Sequence, residues 1–66
     1  MKLRVRELRK KSKMTQGELA KRSNLSLATI SRIENHYADV ATMTSLNRIA
    51  NALGVEVEAL FFTNQN

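Results

Sequence analysis

The chain contains no proline, and its two glycines fall at Gly17 and Gly54. Nothing therefore forbids helix over long stretches, and most breaks must come from turn chemistry at other residue types. β-Branched residues do not alternate with polar ones, as a half-buried strand requires, whereas apolar residues recur at spacings of three and four. Helices are the expected elements throughout. At 66 residues, a chain buries only roughly 60% of the surface it exposes when unfolded, which allows one core. With no cysteine and a single histidine, neither a disulfide nor a zinc cluster can staple it, so the fold must hold by packing, aided by dimerisation.

The expected fold class is all-α, a compact five-helix unit spanning residues 1–66, with helices at about 2–12, 16–23, 27–35, 43–53 and 56–62. In the first helix Val5 and Leu8 face inward and the basic residues outward. Lys13-Met14 reads as a short connection. Thr15 is a natural N-cap, and Glu18 three residues later completes a capping box for a second helix carrying Leu19 and Ala20. Asn24 tolerates the left-handed conformation in which a helix often stops. Ser26 caps a third helix with Ile30 and Ile33 inward. Residues 36–41 lack periodicity and read as a loop. Thr42 caps a fourth helix in which Met43, Leu46, Ile49, Ala50 and Leu53 form the apolar stripe, and Gly54 ends it. Val57, Leu60 and Phe61 share one side of the fifth helix.

Charge gives the first functional indication. Lys2, Arg4, Arg6, Arg9, Lys10, Lys11, Lys13, Lys21 and Arg22 crowd the first third against Glu7 and Glu18 alone, within a net charge of +5. Such a basic end attracts polyanions, although a solvated helix face chosen for solubility has the same composition. The amino terminus carries charges where a signal peptide needs an apolar run, and no apolar stretch approaches the roughly 20 residues that cross a bilayer. The expected location is the cytoplasm, with no membrane partner. The chain offers no general base in a cleft, no metal cluster, no cofactor-binding loop and no effector domain, so neither an enzyme, a cofactor nor a small-molecule effector is expected.

Counting Gln16 as the first residue of the second helix, the fifth is Ala20, the ninth Asn24, the fifteenth Ile30 and the eighteenth Ile33. A small residue at Ala20 lets the third helix cross closely over the second, Asn24 reverses the chain, and the isoleucines lock the third helix to the core. At about 100° per residue, with Leu27 at zero, Ser31 lies near 40°, Asn35 near 80°, Ala28 near 100° and Arg32 near 140°, opposite Ile30 and Ile33. Small residues on that face let a helix lie deep in a major groove. Arg32 has the reach and fork geometry for guanine O6 and N7, Leu27 and Ala28 offer apolar contact to a thymine methyl, and Ser31 can bond several base edges. Two further readings stay open: Leu27 as a staple to another helix, and Arg32 as a phosphate contact. Gln16, at a helix start that favours anions, is placed on a phosphate oxygen, as is the capping residue Ser26.

These segments resemble the Cro and phage-repressor family of helix-turn-helix proteins, the XRE family with the lambda-repressor-like fold. Met14-Thr15-Gln16-Gly17-Glu18-Leu19-Ala20 is similar to its second-helix signature. The run from Ser26 to Asn35 is similar to its recognition helix, and the run from Leu46 to Val55 to its fourth helix and following turn. The match covers about Leu3 to Phe62. The resemblance implies binding to double-stranded DNA, a phosphate contact at Asn35 and in the loop after it, and an internal ion pair between Arg9 and Glu34. Where family members often place glycine, a basic residue and proline, this chain has His36, Tyr37 and Ala41, which weakens the expectation of backbone contacts there.

One recognition helix reads few base pairs, so the resemblance also implies a homodimer on a near-palindromic operator. Phe62 lies about 100° from the stripe of Val57, Leu60 and Phe61 and is the expected dimer contact. It could instead pack on its own first helix. The expected function is sequence-specific transcriptional regulation. The alternative is a protein-interaction module, such as an antitoxin that binds a partner and autoregulates its operon.

Overall fold

The computed structural model describes residues 3–35 and 41–61. Within them the elements are α1 (Val5–Lys11), α2 (Gln16–Ser23), α3 (Leu27–Asn35), α4 (Met43–Leu53) and a 3-10 turn at Val57–Leu60. The five largest fully buried side chains, Val5, Leu19, Ile30, Ile49 and Leu60, come one from each of these elements. Met14, Ala20, Ile33, Leu46 and Ala50 complete the buried core, with Leu3, Leu8, Leu25, Leu53, Val55, Val57 and Phe61 among the half-buried residues packed against it. No helix among the described residues is long and apolar enough to cross a membrane.

The starts of α2 and α4 follow from hydroxyl caps. Thr15 Oγ1 accepts the Glu18 backbone N–H at 3.0 Å while Glu18 Oε1 accepts the Thr15 N–H at 2.8 Å. Thr42 and Ser45 make the same reciprocal pair at the start of α4. Helix ends share a second device. The residues Lys13, Asn24 and Gly54 all adopt positive φ, at 57°, 60° and 71°. In each case the next residue, Met14, Leu25 or Val55, donates its backbone N–H to a carbonyl five residues earlier, at Arg9, Ala20 or Ala50. That closure satisfies an orphan helix carbonyl and turns an apolar side chain onto the core.

Three expectations are corrected. The 2–12 helix is shorter, Val5–Lys11, and the expected 56–62 helix is a 3-10 turn at Val57–Leu60. At the outer ends Leu3 pairs with Phe61 in an isolated antiparallel bridge and the Arg4 N–H bonds the Leu60 carbonyl at 2.6 Å, so Leu3 and Phe61 pair across the fold where helix was expected. Met14 lies in the short connection the sequence predicts and is also a core residue, at 9% exposure. Met43, read as part of the α4 stripe, is 58% exposed. Helical side chains lean toward the N-terminus, so a residue in the first helical position points past the end of its helix rather than into the core.

Candidate nucleic-acid interface

Helix α3 is built so that its back is fixed and its front is open. Ser26 Oγ accepts the Thr29 backbone N–H at 3.0 Å and its hydroxyl donates to Thr29 Oγ1 at 2.8 Å, which starts the helix. Ile30 and Ile33 are buried. Ala28, Arg32 and Asn35 are exposed and Ser31 is half-buried. Leu27 is 54% exposed, leaving it open to an outside surface. The four residues placed at base edges, Leu27, Ala28, Ser31 and Arg32, therefore lie along one accessible strip of α3.

The end of α3 is anchored through Glu34, whose side chain is fully buried. Arg9 grips it with two donors, Nε at 2.7 Å and Nη2 at 3.1 Å, and its third nitrogen, Nη1, donates to the Met14 carbonyl at 2.7 Å. Gln16 Nε2 adds a bond to Glu34 Oε1 at 3.0 Å, and Arg6 Nε approaches the same oxygen at 3.7 Å. One carboxylate thus joins α1, the start of α2 and α3. No buried side-chain nitrogen or oxygen among the described residues lacks a partner. In this low-dielectric setting the attraction is strong, and the bidentate geometry repays much of the desolvation cost. With two guanidinium groups facing one carboxylate, the end of α3 keeps a local excess of positive charge.

Of the residues assigned to phosphate, Gln16 is half-buried and spends one amide hydrogen on Glu34, while its second amide hydrogen remains for an anion. The backbone N–H groups of Gln16 and Gly17 stand at the start of α2 with no carbonyl a turn behind them. A Cβ at Gly17 would meet only Thr15 Oγ1, at 3.8 Å, so that approach is open. Glu18 in the same turn accepts the Thr15 backbone N–H, which holds its carboxyl below the usual carboxylate range against the opposing effect of desolvation. Asn35 is exposed at the end of α3, its Oδ1 bonded by Arg6 Nη2 and its Nδ2 donating to Ser31 Oγ at 3.2 Å.

Sequence reasoning missed Arg6. Its spacing of three from Arg9 places both on one face of α1, which was the available signal, but only the packing of α1 shows that this face meets the end of α3. His36, Tyr37 and Phe62 lie outside the described residues.

Residues 5–60 match the helix-turn-helix family. The chain is 35% identical over 57 residues to the immunity repressor protein of Bacillus phage phi105, covering 86% of this chain and 39% of that protein. It is 38% identical over 58 residues to the HTH-type transcriptional repressor RghR of Bacillus subtilis (strain 168), covering 88% of this chain and 43% of that protein. The chain thus spans about two-fifths of the length of the curated relatives it matches. Given this match, the capped helix pair and the fixed third helix, the chain belongs to the helix-turn-helix family, of the Cro and phage-repressor (XRE) type.

Proposed function

We propose that this chain binds double-stranded DNA sequence-specifically as a transcriptional repressor, a homodimer on a near-palindromic operator with α3 in the major groove. The observation that carries the reading is the construction of α3: its inner face is locked by Ile30, Ile33 and the buried Glu34, while Leu27, Ala28, Ser31 and Arg32 are held open on a small-residue strip. A helix presented this rigidly loses little entropy on docking, so its few base contacts translate into discrimination. Arg32 reads guanine, Leu27 and Ala28 contact thymine methyls, and Gln16, Ser26 and Asn35 fix the register on phosphates. The basic first third supplies the polyanion attraction. The names of the two relatives, both repressors, support the regulatory role. Phe62 is assigned to the dimer surface.

Selection of bound sequences from random duplex DNA at physiological salt tests the proposal. The expected result is an enriched inverted repeat with half-site centres about one helical turn apart. A single enriched half-site would remove the dimer. Equal recovery of all sequences would reduce the activity to salt-sensitive nonspecific binding and overturn the proposal.

A further inference from the structure

Three residues from two helices form a hydrogen-bond chain with a fixed direction. It starts at Arg6 on α1, passes through Asn35 at the end of α3 and ends at Ser31 on the exposed strip. A guanidinium can only donate. Asn35 must therefore turn its carbonyl oxygen toward Arg6, and its amide nitrogen faces the other way, 3.2 Å from Ser31 Oγ. The Ser31 oxygen then has one of its two lone pairs engaged within the protein, which leaves its hydrogen and a single lone pair facing elsewhere. The usual internal sink for that hydrogen is a carbonyl one turn back, the bond Ser23 makes to Leu19 O at 2.7 Å. Among the described residues Ser31 makes no such bond, its one hydrogen-bond partner being Asn35.

We propose that Arg6 is a positioning residue for specificity: through Asn35 it orients Ser31 so that the hydroxyl is presented to DNA as a donor. This rests on the DNA-binding reading above and deepens it. In the major groove guanine, adenine and thymine present acceptors at O6 and N7, N7, and O4, whereas cytosine presents only the N4 amino donor. A serine with one lone pair already engaged and its hydrogen free therefore favours guanine, adenine and thymine over cytosine at the base it faces. A hydroxyl with both lone pairs free would accept from cytosine more readily.

The test repeats the duplex selection with Arg6→Met, Asn35→Leu, Ser31→Ala and the double variant Arg6→Met/Ser31→Ala. Thermal unfolding of each comes first; Asn35→Leu cuts the same chain without touching Glu34 and serves if Arg6→Met fails to fold. The wild type is expected to deplete cytosine at one position of the half-site. Each single variant should relax that position by about fivefold, the worth of one net hydrogen bond, with the salt dependence of affinity unchanged; Asn35→Leu, which also removes the phosphate contact assigned above, should in addition weaken binding to all sequences evenly. The double variant should be no more relaxed than Ser31→Ala. A uniform loss of affinity for Arg6→Met, with the salt slope lowered by about one unit, would identify a direct phosphate contact and overturn the inference. So would additive losses in the double variant. If the wild type enriches no site at all, the DNA-binding reading itself fails, an outcome distinct from both.

Discussion

At the scale of single residues, two charges on α3 have opposite expected behaviours. Glu34 is fully buried and carries bonds from Arg9 and Gln16. Its replacement by alanine leaves the Arg9 guanidinium, itself only 10% exposed, without its counter-charge. The expected cost is about 3–5 kcal/mol, against a total of about 3–10 kcal/mol for a domain this size. Urea denaturation should show the midpoint of Glu34→Ala lowered by about 30% or more; an unchanged midpoint would mean that water replaces the carboxylate. Arg32 is exposed. Arg32→Ala should leave the unfolding curve in place while costing about 1–3 kcal/mol of binding at one base pair of the operator. A loss spread evenly over all sequences would move Arg32 from base to backbone.

At the scale of elements, the helix termini offer the clearest levers. Lys13 closes α1 at φ 57°, where Gly54 closes α4 at 71°. A Cβ in that conformation costs about 1–2 kcal/mol, partly offset by about 0.4–1 kcal/mol of extra unfolded-state entropy for glycine. Lys13→Gly should therefore raise the melting temperature by about 2–8 °C, for a net gain of about 0.5–1 kcal/mol, and calorimetry would read it. No rise would mean that the lysine side chain gains as much elsewhere. At the start of α2, the Glu18 carboxyl is held below its ordinary value of 4.5, chiefly by the Thr15 backbone N–H it accepts. Because the folded-state value is the lower one, its stabilisation is present above the unfolded value and disappears as pH falls through the folded one. The wild type should melt higher than Glu18→Gln at pH 7, and the gap should close as pH drops below about 4.5. A constant gap across the titration would assign the difference to geometry rather than charge.

At the scale of the molecule, the two chain segments that meet at Leu3 and Phe61 seal the core. Leu60 is wholly buried in the 3-10 turn, and its carbonyl accepts the Arg4 N–H. Leu60→Ala should cost about 2–5 kcal/mol, a shift of about 10 °C or more by thermal melting. If the change were under a degree, the 3-10 turn would be an appendage to a four-helix core rather than part of it. This closure also bears on the interface, because α1, held at its start by the same contact, carries Arg6 and Arg9 to the end of α3.

What was legible in the sequence is what adjacent residues decide. The capping hydroxyls Thr15, Ser26 and Thr42, the stops at Asn24 and Gly54, and the inward isoleucines of α3 act over one turn of chain, so spacing alone reveals them. The strip from Leu27 to Arg32 follows from the same periodicity. Two methionines depart from the simple pattern for local reasons: Met14 enters the core from a connection because the left-handed Lys13 turns it there, and Met43, first in its helix, points past the helix end. Residues whose state depends on distant partners were not legible. The outer ends of the helices expected at 2–12 and 56–62 gave way to a bridge between residues 58 positions apart, and no local pattern encodes that pairing. The chain from Arg6 through Asn35 to Ser31 likewise spans 29 residues at its first bond. Local sequence determined where α2, α3 and α4 start, stop and face; tertiary packing alone decided which charges and amides meet, because a hydrogen bond across the fold depends on where two helices come to rest.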